Sequence, residues 1–170
     1  MKKYFLNLLI ISLLFLCMAC PYQSNVPLSE KGMVIDDYFL GKWTNKNQIN
    51  KDFFAILQHN DHQYKIEENV YSESDKSFSQ KTYLASISDI DGQLYFNVKP
   101  SETEELYLIY RLKKGTDQIT LSPLTENIKE SFKSVADFQN FVRKHKDLSF
   151  FYGKDQVFKR LKDKNSYLVF

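Results

Sequence analysis

Two short clusters hold the side chains best suited to chemistry. His59-Asn60-Asp61-His62 brings together two imidazoles and a carboxylate, the groups that ligate zinc. No further ligand stands nearby, and Asn60-Asp61 is ordinary turn chemistry, so the segment reads as a turn without metal. Asp89-Ile90-Asp91-Gly92 has the opening spacing of a calcium loop, but such a loop needs a Glu at its twelfth position. That position falls on Pro100, and the motif reads instead as a hairpin. Glu67-Glu68 on a strand and Glu102, Glu104 and Glu105 in a loop offer carboxylates of the kind that cleave glycosidic bonds in pairs. Nothing in the pattern indicates a cleft between them, and exposed glutamates are usually solvated. No nucleophile elbow, phosphate loop, dinucleotide fingerprint or His-Glu-x-x-His motif occurs.

The aromatic residues are the other candidates. Tyr64, Tyr83, Tyr95, Phe96, Tyr107 and Tyr110 are spread over several strand-like segments of a chain with 14 Phe and 11 Tyr. Converging inside a barrel, they would line a pocket for an apolar or sugar ligand. The simpler expectation is that they fill the barrel themselves, or pair across its strands.

The N-terminal segment differs in character from the body that must position these residues. Lys2 and Lys3 precede an apolar run from Phe5 to Leu16, broken by Asn7, and a small residue, Ala19, stands before Cys20. That is the layout of a secretory signal, with an apolar run shorter than the ~20 residues of a spanning helix. Ending in Cys17-Met18-Ala19-Cys20, it resembles the signal of bacterial lipoproteins. The resemblance implies cleavage before Cys20, acylation of that cysteine, and a protein anchored in the cell membrane or outer membrane, facing the periplasm or exterior. Two or more acyl chains make such an anchor stable.

Processing would also change the composition. The chain has 23 Lys+Arg against 21 Asp+Glu, and loss of Lys2 and Lys3 balances them. A neutral chain gives nucleic-acid binding no electrostatic support. Cys17 leaves and Cys20 carries lipid, so neither a disulfide nor a thiol nucleophile is expected. No cofactor is implied. The expected divisions are residues 1–19 as signal, 20–37 as lipidated cysteine and flexible tether, and 38–170 as a single body. Pro21 to Asp37 could extend to ~55–60 Å, or span ~20–25 Å as a coil.

Strand signals dominate the body. Phe53-Phe54-Ala55-Ile56-Leu57 is densely apolar, and Tyr64, Ile66, Glu68 and Val70 alternate with Lys65, Glu67 and Asn69. A polar loop is expected over Ser72–Ser79, a strand over Thr82–Ile90, and a tight turn at Asp91-Gly92. Leu94, Phe96 and Val98 share one face of the returning strand, and Leu106, Leu108, Tyr110 and Leu112 one face of the next. Lys114 to Asp117 turns into Gln118–Leu121. Leu124, Ile128 and Phe132 then recur every fourth residue, with Thr125 placed to cap a helix. Ser134 is a second N-cap, before Val135, Phe138, Phe141 and Val142 on one helical face. Gln156 to Leu161 closes the chain as a strand. The fold class is mainly β: an antiparallel meander forming a barrel or strongly curved sheet, with one or two C-terminal helices before a final strand.

Gly41 and Trp43, in Leu40-Gly41-Lys42-Trp43, resemble the Gly-x-Trp opening of lipocalin-like barrels, which implies a Trp packed across one barrel end. With Pro27-Leu28-Ser29, Tyr95-Phe96-Asn97-Val98, Tyr107-Leu108-Ile109 and the Ser-led helix, the chain resembles small uncharacterised bacterial lipoproteins. That resemblance implies an anchored β-rich domain and supplies no chemistry. The leading expectation is therefore a non-enzymatic binding or interaction module of the cell envelope, with an unidentified envelope protein or small molecule as partner. A carrier of a small apolar ligand comes second, and a hydrolase of envelope polymers third.

Overall fold

Period-two alternation decides what lies inside this molecule. A computed structural model describes residues 21–45, 52–100 and 106–161. Its strands are β1 (Gln23–Ser24), β2 (Gly41–Asn45), β3 (Phe53–Gln58), β4 (Tyr64–Ser72), β5 (Ser77–Ile90), β6 (Gln93–Lys99), β7 (Tyr107–Gly115), β8 (Gln118–Pro123) and β9 (Gln156–Arg160), with one helix, α1 (Val135–His145). Strands β2 to β8 pair antiparallel in chain order, and β9 bridges β8 and β2, closing an eight-stranded barrel. The mainly β meander read from the sequence is thus a barrel with one helix ahead of the last strand. Closure removes the free edges that an open sheet would expose.

Two apolar cores result, one on each side of the barrel wall. Inside lie Trp43, Ile56, Tyr64, Phe96, Leu112, Ile119 and Phe158, with Phe39. Outside, Tyr95, Ile109 and Leu124 meet Phe138 and Val142 of α1. Residues that alternate along β6 and β7 therefore serve different cores, which is why these strands carry almost no free polar face. Ser134 caps α1 by accepting a hydrogen bond from the Asp137 amide at 3.1 Å. Arg143, Lys144 and His145 occupy its last turn, where cations favour the helix dipole.

At Asp91-Gly92 both residues take positive φ, 53° and 82°, as a two-residue hairpin turn requires. The polar loop expected over Ser72–Ser79 is shorter than that. Ser72 pairs with Ser77, and β5 begins there. Residues 77–82 are all exposed, so no apolar alternation marks them as strand.

Two further expectations are corrected. Leu124 to Phe132 is not helical: Leu124 bridges to Tyr152, its amide donates to the Ile109 carbonyl at 2.9 Å, and the Thr125 hydroxyl accepts from the Asn127 amide. The four-residue spacing instead drops Leu124 and Ile128 from an irregular loop into the outer core, with Phe132 packed against it. Nor do residues 21–37 form a flexible tether. The Tyr22 amide donates to the Leu124 carbonyl at 3.0 Å, and β1 pairs with β7. Leu28 is fully buried; its amide donates to Asn97 Oδ1 at 2.7 Å, and its carbonyl accepts from Gln139 Nε2 at 2.7 Å. Farther on, the Met33 amide donates to the Ile87 carbonyl and the Ile35 amide to that of Asp61. Single bonds to separate partners hold this strap against the wall, so it needs no periodicity of its own.

Candidate functional site: a cavity at the open end of the barrel

One end of the barrel is sealed by the residues around the Gly-x-Trp motif. Gly41 has φ of 118°, which L side chains rarely adopt, and this turns the chain from a short 3-10 segment (Asp37–Phe39) into β2. Trp43 is fully buried and its indole Nε1 donates to the Phe39 carbonyl at 2.9 Å. Phe39 plugs the end, meeting Tyr64 and Phe96 edge-on at 6.2 and 5.7 Å between ring centres. The Tyr38 hydroxyl lies 2.5 Å from the Gly115 carbonyl and 2.8 Å from that of Gln118, which ties the plug to the β7–β8 turn. Arg160 of β9 places its guanidinium 4.2 Å from the Trp43 ring centre and donates to the Leu40 carbonyl at 2.6 Å.

Above this floor the interior is not filled. A cavity of about 250 Å³ is lined by Trp43, Phe54, Ile56, Ile66, Phe96, Val98, Leu108, Ile119, Leu121 and Phe158, with Glu68, Tyr83, Tyr110 and Gln156 as its polar lining. Val98, Leu108 and Leu121 form part of its wall, beside the rings of Phe54, Tyr83, Tyr110 and Phe158. A dry 150 Å³ cavity admits benzene, so this one suits a body of roughly ten non-hydrogen atoms. It adjoins a more polar depression of about 310 Å³, which shares Phe54, Glu68, Gln156 and Phe158 and adds Asp52, Asn45 and Asn69.

The polar groups are organised around Glu68. The Tyr83 hydroxyl donates to Glu68 Oε2 at 2.7 Å. Burial, then the bond to Glu68, holds the Tyr83 phenol far above the usual tyrosine range. Burial, reinforced by the Glu68 charge, raises that of Tyr110. Both phenols are therefore protonated donors at neutral pH. Among the described residues the cavity lining has one carboxylate and no His, Cys, Ser, Lys or Arg. Such a surface can enclose an apolar body and hold one polar end.

Of the residues anticipated as ligand-lining, Trp43, Tyr83, Phe96 and Tyr110 border this cavity. Tyr64 does not border it: it is fully buried, and its hydroxyl accepts from the Asp36 amide at 2.9 Å. Tyr107 packs against the outer core, and Gly41 contributes backbone conformation. Glu68 is the residue that sequence reasoning left on the solvated surface. Its alternation with Tyr64 and Ile66 was the available signal for an inner position. Glu67 points the other way and pairs with Lys65 at 2.6 Å, so the two adjacent carboxylates do not face one another.

The remaining clusters serve structure. His62 Nδ1 lies 2.9 Å from the Gly32 carbonyl, and Asn60 Oδ1 accepts from the His62 amide, which closes the β3–β4 turn. Asp89 Oδ1 accepts from the Gly92 amide at 2.6 Å within its hairpin. His145 Nδ1 lies 2.8 Å from the Phe141 carbonyl at the end of α1. Among the described residues no three His, Cys, Asp or Glu side chains converge as a metal site. Cys20 and the trio Glu102, Glu104 and Glu105 lie outside the described residues. No family model, no curated protein and no solved structure matches the chain. The fold and the cavity therefore carry the functional argument.

Proposed function

We propose that this chain is a non-enzymatic binding module of the bacterial cell envelope, held to the membrane by lipid on Cys20, and that its barrel takes up a small, largely apolar ligand in a lipocalin-like manner. The observation that carries the ligand reading is the open-ended cavity above Trp43, with aromatic and aliphatic walls and its polar groups gathered around Glu68. Small-molecule sites have this make-up: concave, mostly apolar, with few polar groups to fix orientation.

The anchoring part of the reading is supported by the Lys2-Lys3 start, the apolar run and Ala19-Cys20. The strap gives it a geometric consequence. Only Pro21 separates Cys20 from the buried Tyr22, a reach of about 7 Å. A lipidated Cys20 would hold the barrel against the bilayer surface, where apolar ligands concentrate.

Calorimetric titration of the full chain with 2-phenylethanol tests the binding reading. Saturable binding with a negative heat-capacity change is expected, the mark of apolar burial. Absence of binding by a folded chain, for this alcohol and for the amine and carboxylate of the same shape, would remove it. Mass spectrometry of the mature N-terminus tests the anchor separately: an acylated Cys20 is expected, and a free or uncleaved N-terminus would refute that part alone.

A further inference from the structure

Resting on the reading of the cavity as a ligand site, we propose that Glu68 sets the ligand class: the barrel takes small apolar amines in preference to alcohols or carboxylates of the same shape. Among the described residues neither the cavity nor the depression beside it is lined by Lys or Arg, whereas Glu68 borders both and Asp52 borders the second. Among the described residues, a charged ligand end that enters meets negative charge.

Glu68 also has unused bonding capacity at the cavity wall. Tyr83 occupies Oε2 at 2.7 Å, and among the described residues Oε1 accepts no hydrogen bond. The Tyr110 hydroxyl, on the same lining, likewise has no hydrogen-bond partner among them. An ammonium group carries three donors and no acceptor. It matches a free carboxylate oxygen and a phenol oxygen, and a charge-assisted bond is roughly twice as strong as a neutral one. An alcohol supplies one donor, and a carboxylate ligand would place like charges together.

Lys81 stands opposite Glu68 in the β4–β5 register. It is exposed and makes no ion pair with Glu68, so its charge is screened by water. Asp52 Oδ1 already accepts from the Tyr71 amide at 2.7 Å, and among the described residues Glu68 is the carboxylate that borders both spaces.

The test uses three probes on the full chain, 2-phenylethylamine, 2-phenylethanol and phenylacetate, each close in size to the cavity. The amine is protonated at neutral pH, as a lysine is. Emission from Trp43, the only tryptophan in the chain and part of the lining, reads occupancy. The amine should bind about tenfold or more tightly than the alcohol, with phenylacetate weakest, as expected for a hydrogen bond to a charged group. Glu68→Gln should erase the amine's advantage, and Lys81→Ala should leave the order unchanged. The order in the native chain stands as evidence even if Glu68→Gln fails to fold. Tightest binding of phenylacetate, equal binding of all three, or an amine advantage that survives Glu68→Gln would overturn the proposal. If none of the three binds a folded chain, the ligand-site reading falls and this one with it.

Discussion

Arg160 spans the sealed end of the barrel with its guanidinium 4.2 Å from the Trp43 ring centre, and one of its nitrogens donates to the Leu40 carbonyl at 2.6 Å. A second nitrogen donates to the Tyr38 carbonyl. The last strand, the 3-10 segment and the first barrel strand are thus tied at one residue. The planar fork can stack on the indole and donate to two carbonyls together, which an ammonium cannot do. Arg160→Ala should lower stability by about 2–4 kcal/mol, and Arg160→Lys should restore less than half of that. Chemical denaturation would show it. Equal stability of the Lys variant and the native chain would mean that the charge alone matters.

Trp43 is the other partner in that contact. Trp43→Ala should cost about 3–5 kcal/mol, since it removes a fully buried ring and the bond to Phe39. A loss below about 1 kcal/mol, typical of exposed positions, would place the ring outside the packed floor.

Leu28 tests the strap. It is fully buried and held on both its amide and carbonyl. Leu28→Ala should destabilise the whole domain by about 2–5 kcal/mol. A residue in a flexible tether would change stability by no more than about 0.5 kcal/mol. Denaturant midpoints of the two chains distinguish these cases.

The Asp36–Lys114 ion pair predicts an acid-side effect. The bond from Lys114 is the main reason that the Asp36 carboxyl lies below its ordinary range. A depressed folded-state value means that the unfolded chain takes up the proton first as pH falls. The stabilisation is thus present above about pH 4 and fades as pH drops through the folded value. Both side chains are more than one-third exposed, so solvent screening limits the effect to about 0.2–1 kcal/mol. Asp36→Asn keeps an oxygen for the Tyr38 amide and should be less stable than the native chain at pH 7, by an amount that shrinks toward pH 2 and in high salt. A gap that stays constant with pH would assign the loss to the cap instead.

Much of the barrel is legible in single residues. Asp91-Gly92 announces its hairpin because few dipeptides accept two positive φ values in succession. Leu94, Phe96 and Val98 mark an inner face because strand side chains alternate. The strap is not legible. Tyr22 and Leu28 are buried by partners such as Asn97 and Gln139, far away in the chain, and no local period records such contacts. The helix expected at Leu124 failed because a four-residue spacing cannot distinguish a helix face from a loop that touches the core every few residues. The cavity lies beyond pattern reading for another reason. Alternation says that Val98, Leu108 and Leu121 point inward, but only the closed geometry shows that they border a cavity. Glu68 illustrates both limits: its period placed it inside, its charge argued for water, and the mouth of a cavity satisfies both.

The claim that the barrel interior is a ligand site is tested most directly by emission from Trp43, which borders the cavity and has no other tryptophan to obscure it. The full chain would be titrated with 2-phenylethanol beside Val98→Phe and Leu108→Phe, whose larger rings occupy the cavity volume. A saturable one-to-one change in emission, weakened at least about tenfold in both variants, is the expected result. An emission that responds neither to 2-phenylethanol nor to 2-phenylethylamine in the folded native chain, or that responds equally when the cavity is filled, would contradict the account.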